Sequence, residues 1–185
     1  MLPTLLFLLL LPVAPSTIVR DIGCGETVKI NSSVVDWNLH MPINMFYGAK
    51  VIVKGINLDK GTFRFFSSVN SSNQFFWLYN VQGKTQLGVA PGTKWTVIDT
   101  VNPPITPLTG PYTLEFTILM TNTVRITNGT HLLYNFPLQT NKMPDNVAGT
   151  IGLTGSFSAT SVKYICNCRA PNANRNAIEK CLGLK

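Results

Sequence analysis

Few side chains in this 185-residue sequence are suited to carrying out a reaction. The two histidines, His40 and His131, stand without a recognisable set of metal-ligating neighbours, and the eight acidic residues are scattered along the chain. No G-x-S-x-G elbow, phosphate-cradling glycine loop or paired-carboxylate motif is present. Cys166 and Cys168 form a C-x-C, a weak metal motif without a nearby His or a second close pair. The expectation is a binding protein rather than an enzyme, with no cofactor and no metal.

The stretch most suited to binding is 74–99. Read as a strand, Gln74 to Gln82 alternates, with Phe75, Trp77, Tyr79 and Val81 on one face and Phe76, Leu78, Asn80 and Gln82 on the other. The bulkier odd-numbered face is expected to be core. The even-numbered face turns polar toward its end and suits a half-exposed groove. Trp95 follows about fifteen residues on, in the strand-like segment after Gly92. An exposed indole beside amide side chains is how proteins grip sugars, the ring packing on C–H groups while fixed donors and acceptors read hydroxyls. Asn80, Gln82 and Trp95 are therefore the candidate glycan-binding residues.

The surroundings of these residues point to export. Leu2 to Val13 is an apolar run too short to span a bilayer, with small residues Ala14 and Ser16 beyond it, so residues 1–16 read as a signal peptide. No later stretch is apolar enough for stable membrane insertion. The four cysteines, Cys24, Cys166, Cys168 and Cys181, read as two disulfides. Three pairings are possible. Cys166 with Cys168 is the least favourable, and a bond from Cys24 to the C-terminal group would clamp the chain ends together. Sequons at Asn31, Asn70 and Asn128 are candidate glycosylation sites. The formal charge is +7, but the lysines and arginines are spread without a run, so no focused basic patch and no nucleic-acid partner are expected.

What must position the site is a set of short strands. Val51–Lys54, Phe63–Phe66, Gln74–Val81, Thr93–Thr100, Thr113–Met120, Thr123–Thr127, His131–Phe136, Ile151–Phe157 and Ala159–Ile165 all read as strands, with Asn128-Gly129 as a hairpin signal. About ten strands at roughly ten-residue spacing, with no helical period before residue 172, argue for an all-β, antiparallel two-sheet sandwich. Residues 17–170 form that domain. Residues 171–185 form a short disulfide-tethered tail, in which 174–182 suits a helix.

The order of motifs resembles the galectin family, β-galactoside-binding lectins with a jelly-roll-like sandwich. Gly48-Ala49-Lys50-Val51-Ile52-Val53-Lys54-Gly55 is similar to its opening glycine-bounded strand. Phe116-Thr117-Ile118, Val124, Asn128-Gly129-Thr130-His131 and Phe136 resemble its "F-x-I … V-N-G-x-H … F" segment. Ile151, Leu153, Gly155, Phe157 and Ser161-Val162 resemble its closing strands. The resemblance implies a lectin. That family reads galactose with His, Asn and Arg at alternate positions of one strand, an Asn on the next, then a Trp and a Glu three residues later. The alignment sets Leu78, Asn80 and Gln82 on the strand, Gly88 near the second Asn, Trp95 at the Trp and Ile98 at the Glu. Leu78 and Ile98 cannot hydrogen-bond, and each charge-assisted bond removed costs roughly 1–3 kcal/mol. The resemblance thus implies a secreted lectin-like module with altered or reduced galactoside recognition, its partners glycans or glycoproteins. The alternative is a fold that has lost sugar binding and engages an extracellular protein or serves a structural role.

Overall fold

The computed structural model describes residues 17–31, 36–42, 47–56, 61–66, 74–81, 84–90, 94–102, 105, 110–119, 123–137, 149–154, 158–168 and 175–182. The expected signal peptide at 1–16, the Asn70 sequon and Gln82 lie outside the described residues.

The described strands are β1 (Thr17–Asp21), β2 (Thr27–Lys29), β3 (Asp36–His40), β4 (Lys50–Ile56), β5 (Gly61–Phe66), β6 (Gln74–Val81), β7 (Lys84–Ala90), β8 (Thr96–Val101), β9 (Pro111–Leu119), β10 (Thr123–Asn128), β11 (His131–Pro137), β12 (Thr150–Thr154) and β13 (Ala159–Ile165). One helix follows, α1 (Arg175–Cys181). The strands form two sheets: sheet A, in the order β1-β3-β12-β5-β6-β7-β8, and sheet B, in the order β11-β10-β9-β4-β13-β2. All pairings are antiparallel except β1 with β3, where β1 runs parallel along the edge. The expected all-β two-sheet sandwich is present. Among the described residues no helix is long and apolar enough to cross a membrane.

Period-two alternation makes each sheet one-sided. Val51 and Val53 of β4 lie opposite Phe116 and Leu114 of β9, and all four are fully buried, while Lys50, Ile52 and Lys54 face away. Aromatic rings join the sheets: Phe63 of β5 stacks on Phe116 of β9, with centroids 4.1 Å apart and planes 8° apart. Each such ring contributes roughly 1.5–3 kcal/mol on leaving water. The β10–β11 hairpin closes through Gly129, whose φ of 59° lies in the left-handed region that glycine enters without steric cost.

The sequence expectation omits β1, β2, β3 and β7. The first is an edge strand whose side chains are mostly exposed, so it carries no apolar alternation. Strand β7, Lys-Thr-Gln-Leu-Gly-Val-Ala, lacks aromatics and contains a glycine, which weakens any strand signal.

Disulfides Cys24–Cys166 and Cys168–Cys181 settle the pairing left open by the sequence. The first joins the loop after β1 to the end of β13, across 142 residues. The second holds α1 to the segment after β13. The Cys181 sulfur lies within 4.8 Å of those of Cys24 and Cys166, so the two bridges stand side by side.

Candidate functional site

Which face of β6 looks outward decides what a ligand would meet. The register across sheet A runs Ile18, Trp37, Leu153, Phe63, Leu78, Leu87 in one row. Trp37, Leu153, Phe63, Leu78 and Leu87 are all buried in the core. Phe76, also fully buried, packs against Phe116 and Phe136 of the opposite sheet. The even-numbered residues of β6 therefore point inward, opposite to the parity expected from the sequence. Both faces of 75–79 are apolar, so alternation within the strand leaves the choice open. The neighbours decide it: Phe63 and Phe65 of β5 pair with Leu78 and Phe76 and must share their face.

Asn80 follows the same parity. It is 1% exposed, and its side-chain carbonyl accepts a hydrogen bond from the Thr85 hydroxyl at 2.8 Å. That hydroxyl in turn accepts from the Ile105 backbone N–H at 3.0 Å. Asn80 can enter the core because this chain of bonds satisfies it, and it helps fasten the connection after β8 to the sheet. Of the three candidate glycan contacts, then, Asn80 and Trp95 lie on opposite sides of sheet A, and Gln82 is outside the described residues.

The outward row is Val19, Asn38, Gly152, Arg64, Trp77, Gly88, Val97. Its neighbour is Thr17, Asp36, Thr154, Thr62, Tyr79, Gln86, Thr100. The positions of β6 that a sugar-reading strand would use are therefore Trp77 and Tyr79. Trp77 is only 2% exposed although it stands outside the sandwich. Trp95 covers it, with ring centroids 5.2 Å apart and planes inclined at 57°. The indole of Trp95 itself is 50% exposed, and Val97 (48%) and Tyr79 (36%) open onto the same face.

Gly88 makes room for this stack. A Cβ built there would meet the Thr96 carbonyl oxygen well inside contact distance and come 2.5 Å from Trp77 Cζ2. The Trp77 Nε1 is buried without a hydrogen-bond partner among the described residues. Ile98, set by the alignment at the family's carboxylate position, packs partly buried against the core, whereas Lys94 and Asp99 are exposed.

The face is polar on its other half. Arg64 Nη2 donates to Thr154 Oγ1 at 2.5 Å, and the Asp36 carboxylate attracts the guanidinium. Burial lowers the Arg64 pKa below the usual arginine range, and Asp36 pulls it back only in part. Gly152 leaves an outward position without a side chain between Asn38 and Arg64. Sequence reasoning missed Trp77, Tyr79 and Arg64 as outward residues. The phenylalanines of β5 were the available signal, since their pairing with β6 fixes both parities.

Solved structures share this architecture. Caenorhabditis elegans galectin LEC-6 superposes with a TM-score of 0.59 and 14% identity, over 76% of this chain and 96% of the other. Sheep galectin-11, in complex with glycerol, gives 0.57 and 12% over 78% and 99%. Toad ovary galectin, in complex with thio-digalactose, gives 0.57 and 14% over 70% and 98%. The chain thus has a galectin-like fold, as the resemblance of its motifs implies. No protein-family model matches the chain, and no curated protein matches it by sequence.

Proposed function

We propose that the protein is an exported glycan-binding module whose ligand packs on the outward face of sheet A against Trp95, with galactoside recognition altered from that of galectins. The observation that carries this reading is the half-exposed Trp95 indole held in place on the buried ring of Trp77. A supported, exposed ring offers a sugar's C–H face a rigid platform at little entropic cost. The galectin-like fold supports the carbohydrate class, and the toad protein was solved with a digalactoside.

Altered preference follows from the outward residues. Where a hydroxyl-reading strand needs donors and acceptors, this one presents an indole with a buried nitrogen and Tyr79. Polar reading is left to the Tyr79 hydroxyl, to Gln86 beside it and to the Arg64–Thr154–Asp36 group across the sheet. The disulfide pair supports export, because such bonds persist in oxidising compartments.

A glycan array probed with the secreted protein and its Trp95→Ala variant tests the reading. Glycan signals that vanish in the variant are the expected result. A blank array for the wild-type protein would favour the second reading, an extracellular protein-binding module. One observation specifically favours that alternative: Val97 places an exposed aliphatic side chain in the same row as Trp77, where it adds apolar area without any hydroxyl-reading group.

A further inference from the structure

Five of the basic residues that are scattered in sequence are gathered by strand register onto one face, the outward side of sheet B. Lys54 of β4 lies opposite Ser161 of β13, which lies opposite Lys29 of β2. In the adjoining row Lys163 of β13 sits between Ile52 and Thr27. Arg125 of β10 and Lys50 of β4 flank Thr117 of β9 in the row beyond. All share the outward parity, opposite to the buried Val53, Val162, Tyr164 and Val124.

The charge on this face is not balanced. Glu115 is the one described acidic residue among its outward positions, and Lys50 holds it at 2.7 Å. Lys29, Lys54, Lys163 and Arg125 make no ion pair with an acidic group among the described residues. Neighbouring strands lie about 4.8 Å apart, so the backbones of Lys54 and Lys29 stand roughly 10 Å apart. That is close to the screening length of about 8 Å at physiological ionic strength, so adjacent cations on this face act together on a ligand. Thr27 and Ser161 place hydroxyl donors between the lysines, whereas Thr117 is buried and gives its hydroxyl proton to Glu115.

We propose that the outward face of sheet B docks a sulfated linear polysaccharide, independently of the aromatic face on sheet A. An extended polyanion matches a flat lattice of spaced cations and hydroxyls. The six strands present no outward aromatic side chain on which a single-stranded nucleic acid would stack, and a flat face cannot enter a duplex groove. Outward Ile52 is only partly exposed and stands between Glu115 and Lys163, and the exposed Ile56 and Leu132 are confined to strand ends, so the face offers no continuous apolar wedge to a bilayer.

The test is retention of the full-length secreted protein on immobilised heparin, read as the salt needed for elution. A Lys54→Gln/Lys163→Gln double variant is expected to elute at lower salt and, at physiological ionic strength, to bind at least about fivefold more weakly, as the loss of two partly screened charge pairs requires. A Lys84→Gln/Lys94→Gln variant, which removes the same charge from the other sheet, is expected to elute like wild type. Equal shifts in the two variants would mean that only net charge matters, and would overturn the proposal. So would equal retention on desulfated heparin, or binding to phosphatidylserine vesicles in the absence of binding to heparin. Thermal melts of both double variants show that each is folded, and Trp95→Ala is expected to leave retention unchanged.

Discussion

The indole of Trp77 lies against the backbone of Gly88, and the fit leaves no space for a single added carbon. A Cβ at residue 88 would stand 2.5 Å from Cζ2 of the ring and closer still to the carbonyl oxygen of Thr96. Gly88→Ala is therefore expected to destabilise the protein by about 1–3 kcal/mol, in the range of overpacked sites. Shrinking the ring with Trp77→Phe should recover only part of the loss, because the Thr96 carbonyl belongs to the neighbouring strand. Denaturant melts of the single and double variants measure both effects.

Trp95 and Asn80 should separate binding from stability. Trp95 is half exposed, and its removal uncovers the Trp77 ring without opening the core, so Trp95→Ala should cost less than about 2 kcal/mol while abolishing glycan signals. Asn80→Ala leaves the buried Thr85 hydroxyl without its acceptor and should cost about 1–3 kcal/mol. Its glycan profile should match that of the wild type at temperatures where it is folded. Melting curves and arrays run on the same preparations check the pair of outcomes.

Alkaline pH should unfold the protein through two tyrosines. Burial of Tyr112 and Tyr164 raises both phenol pKa values well above the ordinary value near 10. The sign follows from linkage. Below pH of about 10 both states hold the protons and stability is unaffected. Above it the unfolded chain gives up protons that the native state keeps, so stability falls as pH rises. Thermal melts from pH 8 to pH 11 should show a decline beginning near pH 10, and the decline should be shallower in Tyr112→Phe. A flat profile would contradict the burial of these hydroxyls.

The two disulfides should differ in what they hold. Cys24–Cys166 restrains a 142-residue span, whereas Cys168–Cys181 restrains 13 residues that end in α1. Replacing Cys24 and Cys166 together with serine should lower global stability by about 2–5 kcal/mol. Replacing Cys168 and Cys181 should cost the sandwich less and release mainly the helix. Hydrogen exchange resolves the two, with lost protection spread over both sheets in the first case and confined to the tail in the second.

The strands that could be read from sequence are those where alternation was clean. In β4 and β9 valines and aromatics alternate with Lys, Glu and Thr, so one face could only be core. In β6 the alternation is ambiguous, because Phe76, Trp77, Leu78 and Tyr79 give two apolar faces, and only the pairing with Phe63 and Phe65 fixes the parity. Trp95 emerged as exposed because its role did not depend on that parity, while Asn80 moved into the core with the rest of its face. The basic surface of sheet B was hidden for another reason. Residues 29, 54, 125 and 163 come from four separate strands, and charge proximity of that kind exists only once the register is formed. Disulfide pairing was likewise a matter of three-dimensional approach.

The bridge from Cys24 to Cys166 turns nearly the whole sandwich into a covalent ring. A protease that cuts one connection within the ring would open it without releasing a fragment, and the nicked molecule would migrate as a single species until the Cys24–Cys166 disulfide was reduced. A protein built this way can suffer such a cut between strands while both sheets stay tethered.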